Sequence, residues 1–297
     1  MFSSLPAPLR GTISLFLISL NTAVHCSLIF CIALCKLLIP LPAWHQLCNA
    51  PLDLLAASWV DTNGIWISLM QRQPWEAEIS SDLSRNRWYL VTCNHQSWAD
   101  IFISQRLLNH RIPQMKFFLK QQLIWVPVIG LAWWALDFPF MKRYTKRHLK
   151  KHPEKRGKDF ETTQKACRKF LQRPVAIFNF MEGTRFTPAK QQRQDSPYRN
   201  LLRPRPGGTG YVLGAMGEQL DELIDITIYY PDGVPGFWDF LCGKKSAARL
   251  KITSRPIPPS LLGKDYGQDR AFRNELQQWV NELWATKDEQ LERFAGR

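Results

Sequence analysis

The first long apolar run is "ISLFLISLNTAVHCSLIFCIALCKLLI", Ile13 to Ile39, interrupted only by isolated polar residues and one lysine. As a helix it extends roughly 40 Å against a hydrocarbon core of about 30 Å, which fits either one tilted membrane span or a bent, membrane-embedded hairpin. The run continues past the length of a signal-peptide apolar region, and His25 spoils a small-residue cleavage site before Cys26, so it reads as a retained anchor. The following stretch, Leu52 to Met70, has apolar residues at mixed helical spacing with Asp53 and Asp61 among them, and suits a helix lying against membrane or core. Residues 1–73 are thus expected to form an N-terminal anchor and amphipathic helix.

From about Pro74 onward the pattern changes to short apolar runs alternating with helical periodicity, which predicts an α/β domain over 74–297. Trp88–Cys93, Met115–Leu119, Phe138–Met141, Pro174–Phe180 and Leu223–Tyr230 read as strands. Helices are expected over Trp98–Leu108, Gln121–Ala135, Lys158–Leu171 and Gly208–Gln219. A last amphipathic helix places Phe272, Leu276, Trp279, Val280 and Leu283 on one stripe and reads as a covering helix rather than a site. The apolar segment Leu123–Met141 is interrupted by Pro127, Gly130, Asp137 and Pro139, so a buried helix followed by a strand is preferred to a second span.

A chain of 297 residues with a formal charge of +14 has ample material for a core and a field that attracts phosphate-bearing partners. Charge does not settle membrane orientation, but the basic body suits a cytoplasmic face. Seven cysteines are present without a CxxC pair, so neither a zinc site nor a disulfide framework is indicated.

Four stretches carry candidate chemistry. In "VTCNHQSWADIF" a strand ends at Asn94, and Ser97 with Asp100 forms a variant capping box that starts a helix at Trp98. His95 sits in the loop just before, where its imidazole can fold back to Asp100. The carboxylate would then fix the tautomer and leave the other ring nitrogen free to take a proton from a hydroxyl. A turn histidine beside a helix-capping aspartate shows the same residues, so the pair needs company. It comes in "MEGTRF", Met181 to Phe186, a strand end whose glycine-relaxed amides can approach an anion while Arg185 offers a planar fork for phosphate. Between them lies a basic arm, Lys142 to Lys158, in which Arg143 directly follows a strand and is best placed to enter a site. The other cations read as a solvated arm or as attraction for anionic headgroups or coenzyme A phosphates. "LLRPRPGGTG", Leu201 to Gly210, adds two arginines and glycines ahead of a helix, and turn chemistry explains those glycines equally well. His148 and His152 have helical spacing but no third ligand nearby, and Cys93 reads as core.

Taken together, "NHQSWAD" resembles the NHxxxxD motif, and "EGTR" the second signature, of the membrane-bound glycerolipid and lysophospholipid acyltransferases. "FMKR" falls at the family's arginine-bearing second block, and "LLRPRPGGTGYVLG" with "LIDITIYYP" resembles the lysocardiolipin acyltransferase-like branch, which includes bacterial inner-membrane proteins. The resemblance covers nearly all of the chain after Pro74. It implies a glycerolipid acyltransferase-like α/β domain behind an N-terminal membrane-embedded helical segment, in a bacterial inner membrane with the catalytic domain facing the cytoplasm. The implied reaction moves a fatty acyl group from acyl-CoA or acyl-carrier protein to the free hydroxyl of a lysophospholipid such as lysophosphatidic acid, with no metal and no cofactor beyond the co-substrate. In that reaction His95 is the general base and Asp100 its orienter. Arg143 and Arg185 hold the acceptor phosphate with the Gly183–Thr184 backbone, and Glu182 organises the loop. Met181 stands where the family usually has proline. A membrane-tethered, non-enzymatic protein that uses the basic arm for RNA or anionic lipid is the competing reading; the chain lacks the interleaved aromatics of common RNA modules, which makes nucleic acid an unexpected partner.

Overall fold

The computed structural model describes residues 4–71, 75–80, 82–141 and 158–296. It opens with two long antiparallel helices, α1 (Ala7–Leu38) and α2 (Pro42–Met70). Their seam carries polar pins: Asn21 Nδ2 donates to the Trp59 carbonyl at 3.0 Å and to Asn63 Oδ1 at 2.9 Å, and Trp59 Nε1 donates to Thr22 Oγ1 at 3.2 Å. Both ends of α1 are tied down. Arg10 Nη1 donates to the Met70 carbonyl at 3.2 Å, and Gly11 lies so close to Trp238 and Cys242 that a Cβ there would sit 2.6 Å from the Cys242 sulfur. At the far end Lys36 Nζ reaches Asn49 Oδ1 at 2.9 Å and Asp137 Oδ2 at 3.2 Å. A helix held at both ends by the same domain lies along it. The run from Ile13 is one continuous helix as far as Leu38, with no bend inside it and long and apolar enough to cross a membrane; the hairpin is the one it makes with α2, through a turn at Ile39–Leu41. The outer face of α1 remains apolar and exposed at Phe16, Leu20, Val24, Leu28 and Leu34.

The expected domain boundary falls at residues 72–74, which are not described. Beyond it come β1 (Trp75–Ile79), β2 (Tyr89–Cys93), α3 (Ala99–Leu108), β3 (Met115–Phe117), β4 (Leu119–Lys120) and α4 (Ile129–Ala135). The chain continues through β5 (Phe140–Met141), α5 (Lys158–Phe170), β6 (Ala176–Asn179), α6 (Pro188–Arg193) and α7 (Gly207–Met216). It closes with β7 (Glu222–Tyr229), α8 (Phe237–Leu241), β8 (Ala248–Pro256) and α9 (Arg270–Phe294). Six strands form one mixed sheet in the order β1-β8-β7-β2-β6-β3, and β4 pairs with β5 apart from it. β3, β6, β2 and β7 are mutually parallel, whereas β8 runs antiparallel to β7 and β1 pairs parallel with β8.

The central strand is buried on both faces, which is why "YLVTC" reads as a continuous apolar run rather than an alternation. Tyr89, Val91 and Cys93 face a core shared with α2, α3 and α8, while Leu90 faces a second core built with α5, α7 and α9. α9 buries Phe272, Leu276, Val280 and Leu283 as its stripe predicts, and it also buries Lys287. That ammonium donates to Asp225 Oδ1 and the Ile226 carbonyl, both at 2.6 Å, which is how a fully enclosed charge is tolerated behind β7.

Two expectations need correction. The helix expected over Gln121–Ala135 is a 3-10 turn (Gln121–Trp125) followed by α4, because Pro127 interrupts the backbone and Val128 takes φ 67°. Nor is that segment a buried one: Trp125, Leu131 and Trp134 stand exposed. The strands β1 and β8 were not expected, since their charged residues alternate with the apolar ones at the solvent-facing edge of the sheet, Glu76 with Arg249 and Glu78 with Lys251.

Candidate active site

The parallel strands β2, β6 and β7 lie side by side, so the loops leaving their carboxyl ends meet at one edge of the sheet. The β2 loop begins with Asn94, whose side chain prolongs the ladder: its Nδ2 donates to the Ile228 carbonyl at 2.9 Å and its Oδ1 accepts from Ile228 N at 2.8 Å. The next residue, His95, is thereby held over the sheet edge.

Asp100 is 1% exposed in the first turn of α3 and accepts four hydrogen bonds. Its Oδ2 accepts from Gln96 N at 2.7 Å, from Ser97 N at 2.8 Å and from His95 Nδ1 at 2.9 Å. Its Oδ1 accepts from the Tyr230 hydroxyl at 2.6 Å. The Ser97 hydroxyl accepts from Ala99 N at 3.1 Å and donates to the Pro235 carbonyl at 2.6 Å, so Ser97 and Asp100 do form the expected capping pair. The imidazole also stacks on Phe180, ring centroids 3.9 Å apart and planes 19° apart. With Nδ1 committed to the carboxylate, Nε2 has no partner among the described residues.

Glu182, on the loop after β6, ties that loop to the β2 loop and to the segment before α7. Its Oε1 accepts from His95 N at 2.8 Å and its Oε2 from Leu202 N at 2.9 Å, while Phe186 N donates back to the His95 carbonyl at 2.7 Å. The carboxyl is fully buried, and burial pushes it up to about 7 against the lowering effect of the two amides. Gly183 has φ 68°, the left-handed region, and its amide is spent on the Phe180 carbonyl at 2.9 Å. The Gly183 amide is therefore not free to meet an anion. Arg185 lies over the Trp98 ring at 5.0 Å, and Lys190 Nζ donates to Thr184 Oγ1 at 2.9 Å and to the Arg185 carbonyl at 2.8 Å, placing two cations at this edge.

Of the predicted set, His95, Asp100, Glu182, Gly183, Thr184 and Arg185 converge. Arg143 lies outside the described residues, as do His148, His152 and the arm up to residue 157; Lys158 opens α5. In the fourth stretch the glycines enter α7 itself, where Tyr266 packs on Gly210 and Asn179 donates to Thr209 at 3.0 Å. Met181, in the place of the family proline, is 1% exposed and fills the core beside Leu201. Cys93 is fully buried and its thiol is pushed well up, first by burial and then by the charge of Asp100, so it is no nucleophile.

Tyr230, Phe180, Trp98 and Lys190 are the site neighbours that sequence reasoning missed. Phe180 and Tyr230 left a trace only as the last residues of expected strands and Trp98 as the first residue of an expected helix, whereas Lys190 left none. If the Tyr230 hydroxyl holds Asp100 in register, Tyr230→Phe lowers kcat about tenfold at unchanged KM, since three donors to Asp100 survive. A proportional fall in folded protein, measured by thermal melting, would instead make the tyrosine structural.

Comparisons with known proteins bear on the family and the fold. The family described as Acyltransferase matches residues 75–230, from the start of β1 to Tyr230 just after β7. Lysocardiolipin acyltransferase 1 of Danio rerio is 26% identical over 222 residues, 69% of this chain and 52% of that protein. The 1-acyl-sn-glycerol-3-phosphate acyltransferase 2 of Brassica napus is 24% identical over 252 residues, 77% of this chain and 60% of that protein. The chain thus spans about half to three fifths of the length of these relatives. The crystal structure of the 1-acyl-sn-glycerophosphate acyltransferase PlsC from Thermotoga maritima shares the fold at TM-score 0.54 and 14% identity, with 94% of this chain and 98% of that one covered. A family match over more than half of the chain, on a mixed α/β sheet of that same fold, establishes that this chain belongs to the acyltransferase family.

Proposed function

We propose that this chain is a membrane-associated O-acyltransferase that moves a fatty acyl group from acyl-CoA or acyl-carrier protein to the free hydroxyl of a lysophospholipid such as lysophosphatidic acid. The observation that carries the reading is the His95–Asp100 pair at 2.9 Å, which turns the uncommitted Nε2 of His95 toward an open sheet edge flanked by Arg185 and Lys190. The acceptor phosphate is held by Arg185, by the Thr184 and Arg185 amides and by Arg143. His95 Nε2 takes the proton from the acceptor hydroxyl as its oxygen attacks the thioester carbonyl carbon. The tetrahedral oxyanion collapses, the C–S bond breaks, and the proton on Nε2 passes to the departing thiolate, leaving ester and free thiol. Asp100 orients the imidazole through its bond to Nδ1, and the chemistry needs no metal.

The lipid reaches the site from the hairpin side. α1 begins against Trp238 of α8, whose Phe237 packs on Trp98 at 6.3 Å between ring centroids, so Trp98, Phe237 and Trp238 are exposed apolar groups between the hairpin and the start of α3. Residence in a bacterial inner membrane with the domain on the cytoplasmic side belongs to the same proposal. In the assay, purified protein given acyl-CoA or acyl-carrier protein with lysophosphatidic acid, lysophosphatidylglycerol or lysocardiolipin should release thiol and form diacyl product with at least one pair. No thiol release with any pair would refute the proposal.

A further inference from the structure

A second cavity, about 850 Å³, lies under the turn of the α1–α2 hairpin. Its wall includes Lys116 on β3 and Val175 just before β6, which places it at the amino ends of the parallel strands. The active site is at their carboxyl ends, about 16 Å away along the five residues from Val175 to Phe180. Among the described residues, five cationic side chains line it, Lys36, Lys116, Lys165, Lys169 and Arg173, against the single carboxylate of Asp137. Asp137 is already shared by Lys36 at 3.2 Å and Lys169 at 2.6 Å, and Arg173 pairs with Asp53 outside the cavity.

Lys116 is the unusual member, only 2% exposed. An ammonium has three donors. One goes to Gln114 Oε1 and one to the Leu136 carbonyl at 2.6 Å, and the third finds no acceptor among the described residues, only the Phe138 ring at 5.1 Å. Burial pushes this ammonium down to about 8, so a charge is held there at a cost that an anion in the cavity would offset. Lys165 has no ion-pair partner among the described residues. The neighbouring surface is apolar: Leu37, Leu38 and Leu41 at the hairpin turn are 62%, 71% and 60% exposed, and Trp134 lines the cavity itself.

We propose that this cavity is a second, non-catalytic lipid site that takes the phosphate headgroup of an anionic phospholipid, with Lys116 at its base, Lys165 and Lys169 at its rim and the acyl chains along the hairpin turn. A free phosphate would satisfy the cations but not the apolar rim, which is why the lipid is the assigned occupant. The site does not depend on acyl transfer.

The full chain in detergent, titrated with phosphatidylglycerol, phosphatidylcholine or inorganic phosphate and read by native mass spectrometry, tests it. Phosphatidylglycerol should form a one-to-one adduct that the double variant Lys165→Gln/Lys169→Gln weakens roughly tenfold and Lys116→Met abolishes. His95→Ala should leave the adduct unchanged, which separates this site from the catalytic one. Because the two rim lysines are exposed, the double variant should melt with the wild type. A double variant that melts normally and binds phosphatidylglycerol fully would overturn the proposal, as would equal binding of phosphatidylcholine. Displacement of phosphatidylglycerol by inorganic phosphate at equal concentration would make the ligand a free anion and also defeat the assignment.

Discussion

Replacing His95 with alanine lowers acyl transfer on the order of a thousandfold to ten-thousandfold and leaves the melting temperature within a few degrees of wild type. The two halves of that result have separate causes. His95 holds the loop through its backbone: the amide donates to Glu182 and the carbonyl accepts from Phe186, and alanine keeps both bonds. Asp100 keeps the donors from Gln96, Ser97 and Tyr230, so its charge stays satisfied in a buried position. What disappears is the imidazole, and with it the Nε2 proposed to take the hydroxyl proton. Thiol release with acyl-CoA and a lysophospholipid, measured beside a thermal melt, reads both. A variant that melts normally and retains near-full activity with every acceptor sinks the general-base role.

The second large effect is on the pH dependence of stability and runs through Glu182. Its carboxyl sits at about 7 in the folded chain against an ordinary value of 4.5, because burial disfavours the charge more than two amide donors favour it. Between those two values the folded state holds a proton that the unfolded state has released. The contribution of Glu182 is therefore fully present below about pH 4.5 and is lost as pH rises through 7, on the order of 3 kcal/mol in all. Glu182→Gln cannot titrate. The unfolding free energy of wild type minus that of Glu182→Gln, from denaturant titrations at a series of pH values, should fall by that amount across the interval. A flat difference, or one that rises with pH, contradicts the raised value. Glutamine also presents an NH₂ to one of the two amides that the carboxylate accepts, so activity drops as the loops lose their tie.

Local pattern carried the central strands and most helices. β2, β6 and β7 are short apolar runs bounded by polar residues, and α3, α5 and α9 follow their periodicity to within a residue or two. The site motifs were equally legible, because Ser97 and Asp100 act within one helical turn and His95 is two residues upstream. The failures share a cause. The edge strand β1 and its neighbour β8 owe their conformation to pairing across more than 170 positions of sequence, Trp75 with Ala248, and nothing local announces it. Tyr230 reaches Asp100 only because β7 lies beside β2, a register that links residues 130 positions apart.

The hairpin shows the division most plainly. Apolarity over Ile13–Ile39 is a property of composition and identifies a helix that seeks lipid or core, whatever surrounds it. Whether that helix projects from the domain or lies along it depends on what grips its ends, and only the folded chain brings Met70, Trp238 and Asp137 to Arg10, Gly11 and Lys36. In the same way, residue types and spacing marked a histidine beside a carboxylate and an Arg-bearing loop as a candidate proton relay and anion site, and the resemblance to a family pointed from there to acyl transfer. The tertiary structure decided that Glu182 joins three loops, that Tyr230 completes the shell of Asp100, and that five cations surround a cavity at the opposite end of the sheet. Short-range sterics and periodicity act within a few residues and can be read along a line, whereas convergence of distant loops is set by strand order, which long-range burial selects.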